Sequence, residues 1–244
     1  MFYLIEMEKH MYNKYIFINN NRKKKQKELE EKKKLEDSQI SFDMLIPKEE
    51  KNTKKQYLCQ KNNNCLTSKK GKNLNGFVDD YVLVDIETTG LSPIADDIIE
   101  IGAIKVKNNE MVEQYNELIN INRNLSPFIT NLTGITDEML KSGKMPKVVF
   151  EEFVDFVGDN VIIGHNVNFD LGFLCDKCKK YLNYNLNNDY IDTLYLARRL
   201  VPGSINYKLG TLAKLFNISY EGAHRGLKDV EITYEVYNRL RKIK

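Results

Sequence analysis

No stretch of this 244-residue chain approaches the ~18 consecutive apolar residues of a membrane-spanning helix. The opening segment MFYLIEMEKHMYNKYIFINNN is interrupted by Glu6, Glu8, Lys9 and Lys14 before the apolar centre of a signal peptide can form. Cysteine is scarce too. Cys59, Cys65, Cys175 and Cys178 are too few and too scattered to staple a small secreted domain, so the cytoplasm is the expected location. Histidine is scarcer still, with only His10, His165 and His224. Internal repeats are lacking, and no helicase or polymerase motif appears.

What is present is an ordinary soluble composition, 42% apolar and 10% aromatic, in a chain long enough for one sizeable core. The formal net charge of +3 is unevenly spread. Residues 1–78 carry 18 Lys and Arg against 10 Asp and Glu, and the rest carries 19 against 24. A basic arm on an acidic body suits a polyanionic partner, because Lys and Arg contacts to phosphate release counterions; a merely solvated tail has the same composition.

The run NRKKKQKELEEKKKLED over 21–37 favours a helix, with Lys24 and Glu28, and Glu30 and Lys34, four apart. It has no apolar stripe to bury. Residues 47–77 are Lys- and Asn-rich with little periodicity, which places a boundary near Gly76: an arm over 1–78 and a domain over 79–244. Beyond Asp79, YVLVDIE is the near-continuous apolar run of a strand buried on both faces. DIIEIGAIKV and MVEQYNELINI read as two further strands joined by a polar turn at Lys107 to Glu110, an antiparallel start to the sheet. A helix then carries Val148, Val149, Phe153, Phe156 and Val157, and VIIG is a short strand. Further helices are expected over about 168–181, near 193–200 and 208–216, and over about 226–242. The fold class is a mixed α/β domain.

Three acidic segments carry chemistry. Asp85 and Glu87 flank Ile86, and alternation along a strand sends both carboxylates to one face at its carboxyl end. Acids this close repel unless a hard cation lies between them. GHNVNFD, residues 164–170, passes from strand to helix and leaves Asp170 in the first helical turn, where it either serves a site or complements the helix dipole. AHRGLKD places His224 on a loop just before the last helix and Asp229 near that helix's start. A histidine with its ordinary pKa of about 6.5 accepts a proton near neutral pH.

DIETTGL, GHNVNFDLGFL and AHRGLKD together resemble the three motifs of the DEDDh group of DnaQ-like exonucleases, over roughly residues 80–241. The resemblance implies a ribonuclease H-like mixed sheet, an antiparallel meander plus parallel strands, flanked by helices, and 3′-to-5′ removal of nucleoside 5′-monophosphates from DNA. It implies that Asp85, Glu87, Asp170 and Asp229 hold two Mg²⁺ or Mn²⁺ ions, with His224 as general base. Expected substrates are single-stranded or frayed DNA 3′ ends, in replication proofreading or repair, and a DNA polymerase or sliding clamp is a candidate partner. An RNA-trimming enzyme of the same fold, or a module that kept the fold without catalysis, are the competing readings. DIIEIGAIKV and NLTGIT (131–136) also resemble the proofreading branch, which implies that Thr88, Thr89, Gly90 and Leu91 line the terminal-nucleotide site. Alternation places Glu100 away from the face of Ile99 and Ile101, near the terminal ribose. Asn166 is expected to reach a phosphate, and His165 beside it is expected among the substrate-binding residues, structural rather than catalytic, since one general base suffices.

Other signals have plainer explanations. Cys175 and Cys178 form a CxxC, but they share an apolar stripe with Leu171, Leu174 and Leu182, and a zinc site would need the widely spaced Cys59 and Cys65. Asp192 either supports the site or caps the helix after it. The apolar island QISFDMLI (39–46) suits a docking peptide for a replication partner or packing against the domain.

Overall fold

The computed structural model describes residues 70–243. The charged run at 21–37, the island at 39–46, Cys59 and Cys65 lie outside them. At the centre of the described residues is β1 (Tyr81–Thr88), a strand whose side chains divide between two cores. Val82, Val84 and Ile86 enter one apolar cluster, and Tyr81 and Leu83 enter the other. Each such side chain removed from water contributes about 1.5–3 kcal/mol, so burial on both faces holds β1 in the middle of the sheet.

Antiparallel to β1 lies β2 (Ile98–Lys107), and antiparallel to β2 lies β3 (Glu110–Leu118). The β2–β3 turn places Asn108 and Asn109 at φ 50° and 65°, the left-handed pair that a two-residue hairpin needs. On the other side β4 (Val161–Gly164) and β5 (Tyr190–Asp192) run parallel to β1, giving the order β3-β2-β1-β4-β5. This is the mixed sheet of an antiparallel meander followed by parallel strands that the sequence implied. The three-residue β5 was not foreseen, being too short to show a period.

Seven helices lie among the described residues. Two short ones, α1 (Pro127–Thr133) and α2 (Asp137–Lys141), also escaped the sequence reading; their signals are caps rather than periodicity. Ser126 caps α1 ahead of Pro127, Gly134 ends it at φ 70°, and Thr136 caps α2. α3 (Pro146–Val157) and α4 (Asn168–Leu182) supply the helical side of one cluster. On the opposite sheet face pack α5 (Thr193–Leu200), α6 (Leu209–Leu215) and α7 (Gly226–Ile243).

The expected boundary near Gly76 needs an earlier position. Asn73 bridges Tyr190 on β5, the Leu74 N–H donates to the Tyr190 carbonyl at 2.7 Å, and Leu74, Phe77 and Val78 pack on the second cluster. Residues 70–78 therefore lie against the domain, because β5 is an edge strand whose free backbone groups accept a neighbour.

Candidate active site

Beyond the core-facing Tyr81 and Leu83, the same row of β1 side chains continues with Asp85 and Glu87, so both acids project toward the α7 side of the sheet. Asp229, in the first turn of α7, meets them there. One carboxylate oxygen from each of Asp85, Glu87 and Asp229 lies within 4.8 Å of the others. Asp229 Oδ2 accepts the His224 backbone N–H at 3.0 Å, while Oδ1 is buried without a partner. A buried acceptor left unpaired costs about 1–3 kcal/mol, and two further carboxylates offer it no donor. A hard cation with oxygen ligands fits this donor set.

Asp170 stands beside that trio, outside the 4.8 Å group. It is buried in the first turn of α4, and its Oδ1 accepts the Ile86 N–H at 3.2 Å, which ties the helix start to the end of β1. Helix placement and proximity to the acids, the alternatives left by the sequence, thus coincide.

Burial, and then the charges of Asp170, Asp229 and Glu87, hold the Asp85 carboxyl well above the usual carboxylate range. Burial pushes Glu87 up to about 8, with Asp229, Glu100 and Asp170 adding to it and Arg225 opposing. Asp170 is pushed up to about 7 by burial, against its own N–H and that of Ile86. Asp229 is raised by burial, with the His224 N–H and the imidazole charge pulling the other way. Acids that resist ionising together acquire their charge when a cation joins them.

His224 precedes α7 in the left-handed region, at φ 67°. Tyr220 presents its ring edge-on to the imidazole, centroids 6.4 Å apart at 85°. A Cβ added at Gly210 would lie 3.1 Å from that Tyr220 ring, so α6 leaves room for it.

The expected substrate residues divide. The turn after β1 is internally tied: Thr88 Oγ1 donates to the Gly90 carbonyl at 2.7 Å, and Thr89 Oγ1 accepts Arg123 Nη2 at 2.6 Å and the Asp97 N–H at 3.0 Å. Buried Lys177 reinforces this loop by donating to the Pro93 carbonyl at 2.6 Å. Gly90 faces inward on Asp96, whereas Leu91, 57% exposed, stands out from the loop. Asn166 is also exposed, in the left-handed region at φ 61°.

Two expected contacts are corrected. Glu100 is fully buried, with both oxygens taken by Arg225 and the Gly226 N–H, so it is closed to a ribose. Strand alternation placed it on the correct side of β2 but could not show what fills that side. His165 spans Thr193 Oγ1 at 2.9 Å and the Tyr207 carbonyl at 2.8 Å, which leaves neither ring nitrogen for a substrate. Burial holds its pKa below the usual value. Asp192 caps the helix after it, its Oδ1 accepting the Leu194 N–H at 3.0 Å, and the same oxygen accepts the Asn166 N–H at 3.0 Å.

Arg225, Tyr220 and Gly102 are not among the residues expected at the site. A Cβ on Gly102 would fall 2.2 Å from the Gly226 carbonyl carbon, so α7 rests directly on β2 there. A glycine inside a strand was the available signal of such close approach. Cys175 and Cys178 face the first cluster, where the Cys175 thiol donates to the Leu186 carbonyl and burial pushes the Cys178 thiol up to about 12.

Residues 82–237, from the start of β1 to the middle of α7, match the exonuclease family RNase_T. The chain belongs to this exonuclease family. Its members hydrolyse phosphodiester bonds, the chemistry the three acidic motifs implied. The DNA polymerase III PolC-type protein of Caldanaerobacter subterraneus subsp. tengcongensis is 41% identical over 161 residues, covering 66% of this chain and 11% of that protein. The exonuclease thus spans about a tenth of the length of the curated relatives it matches. Exonuclease X, solved with 5′-overhanging duplex DNA, superposes with a TM-score of 0.52 at 26% identity, covering 66% of this chain and 91% of that one. E. coli exonuclease I, solved with a dT13 oligonucleotide, gives a TM-score of 0.59 at 20% identity over 67% of this chain and 41% of that one, a likeness of fold. No helix of the described residues is long and apolar enough to cross a membrane.

Proposed function

We propose that this exonuclease removes nucleotides from DNA 3′ ends, in the company of a DNA polymerase and in the service of proofreading or repair, in the cytoplasm. The observation that carries the reading is the convergence of Asp85, Glu87 and Asp229, with a buried oxygen of Asp229 left unpaired, next to Asp170 and a loop histidine. The PolC-type relatives and the DNA-bound exonuclease X favour DNA over RNA as substrate.

The four acids Asp85, Glu87, Asp170 and Asp229 would hold the cations, two Mg²⁺ or Mn²⁺ in this proposal. Bound there, they supply the positive charge that acidifies water and offsets the charge on the departing 3′ oxygen. The chain does the rest. β1 and the starts of α4 and α7 bring the carboxylates together, and the Asp229 bond to the His224 N–H keeps that histidine next to them. His224 accepts the proton as the water oxygen attacks phosphorus, the bond from phosphorus to the 3′ oxygen breaks, and that oxygen takes up a proton. Leu91 and Asn166, exposed on the neighbouring turns, receive the terminal nucleotide. The products are a nucleoside 5′-monophosphate and a strand one residue shorter.

Incubation of the full chain with 3′-labelled DNA and RNA, with Mg²⁺ or EDTA, tests this. Release of labelled mononucleotide from DNA with Mg²⁺ and none with EDTA is expected. Faster release from RNA would overturn the substrate, and activity in EDTA would overturn the metal requirement.

A further inference from the structure

We infer that Glu100 and Arg225 act as a positioning pair that sets the His224 imidazole for proton transfer, an inference that rests on the general-base reading above. Glu100 is on β2 directly opposite Glu87, a placement that adds repulsion to a site already crowded with acids. An apolar side chain would fill the same volume without that cost. What a carboxylate alone supplies is acceptors, and every strong donor it meets comes from the two residues that follow His224. Arg225 Nε and Nη2 approach at 3.1 and 2.8 Å, and the Gly226 N–H approaches Oε2 at 3.0 Å. A bidentate, charge-assisted contact fixes direction as well as distance.

The loop is held at three points as a result. Glu100 grips Arg225 and Gly226, Gly226 rests on the Cβ-free face of Gly102, and the His224 N–H is bound by Asp229. Between these anchors His224 keeps a left-handed backbone, which a residue with a side chain retains where its surroundings dictate it. The Arg225 side chain is 40% exposed, so its grip on Glu100 is not a by-product of filling the core.

The test is a double-mutant cycle in the full chain. Arg225→Met should lower kcat on single-stranded DNA about 10- to 100-fold with KM within about 2-fold, the signature of a misplaced catalytic group. Arg225→Lys, which keeps the charge but not the fork, should fall between wild type and Arg225→Met. Calorimetric affinity for Mn²⁺ should stay within about 3-fold, since the carboxylates remain assembled. In a His224→Ala background, Arg225→Met should cost less than about 2-fold more. Equal losses in both backgrounds, a rise in KM with kcat unchanged, or a collapse of Mn²⁺ affinity would each overturn the inference. A fully active His224→Ala enzyme would overturn the general-base reading and this pair with it; an inactive His224→Ala beside a fully active Arg225→Met would overturn the pair alone.

Discussion

Two sets of carboxylates lie side by side on one sheet face and are treated in opposite ways. Glu100 is wholly buried, and donors from Arg225, Gly226 and, more distantly, Asn116 satisfy it. Asp85, Glu87 and Asp229 are packed against one another, a buried oxygen of Asp229 has no donor, and all three carboxyls are held above their usual range. A satisfied buried acid contributes to architecture, while a cluster of mutually repelling ones, with one buried oxygen unpaired, stores repulsion that a cation or a proton relieves. Partnering, rather than burial or charge, separates the two roles.

The contrast is broken most severely by removing a member of the unsatisfied set. Asp229→Asn should reduce hydrolysis of DNA with Mg²⁺ by at least about 10³-fold, through loss of several kcal/mol of transition-state charge stabilisation. Removing one of the mutually repelling charges should at the same time raise the metal-free unfolding midpoint at pH 8. A variant that is inactive and also less stable would count against stored repulsion. Next in size, Gly102→Ala should cost about 10²-fold in kcat, because its methyl group drives the start of α7, and Asp229 with it, off β2. Wild-type kcat in that variant would show the contact to be forgiving.

A smaller effect follows from titration. A carboxyl whose folded pKa stands above its unfolded value binds more protons folded than unfolded between the two values, so stability falls as pH rises through that window. With Glu87 near 8 and Asp170 near 7, the metal-free protein should lose stability from about pH 4 to about pH 8. Added Mg²⁺ should then raise the unfolding midpoint more at pH 8 than at pH 6. Denaturant titrations across that range check both statements, and a flat profile would refute them. The mildest change separates the two motif histidines. His165→Leu should destabilise the fold by about 1–3 kcal/mol through the Tyr207 carbonyl it strands and the lost contact to Thr193, whose hydroxyl keeps the Gly164 carbonyl, with kcat/KM changed less than about 3-fold. A large kcat loss at full stability would return His165 to the substrate site.

Much of this was legible along the chain. An apolar run ending in Asp-Ile-Glu announces both a central strand and the side on which its acids emerge, since the side-chain period of two leaves no choice. α4 and α7 show their apolar stripes within a few turns. Short elements did not announce themselves: β5 has three residues, α1 and α2 have seven and five, and such lengths carry caps but hardly a period. The satellite contacts were equally hidden. His165 and Tyr207 are 42 residues apart, and Glu100 and Gly226 are 126 apart.

By itself, then, the order of residues determined which groups carry charge, which strand and helix ends present them, and what chemistry a gathering of four acids and an imidazole suits. Those properties are local, set by backbone periodicity and by side-chain type. Only the tertiary structure decided which acid is satisfied and which is left wanting a cation, and which histidine stands beside the acids. Hydrogen-bond partners are assigned by packing across distant segments, and a carboxylate surrounded by donors is chemically different from the same carboxylate surrounded by its own kind.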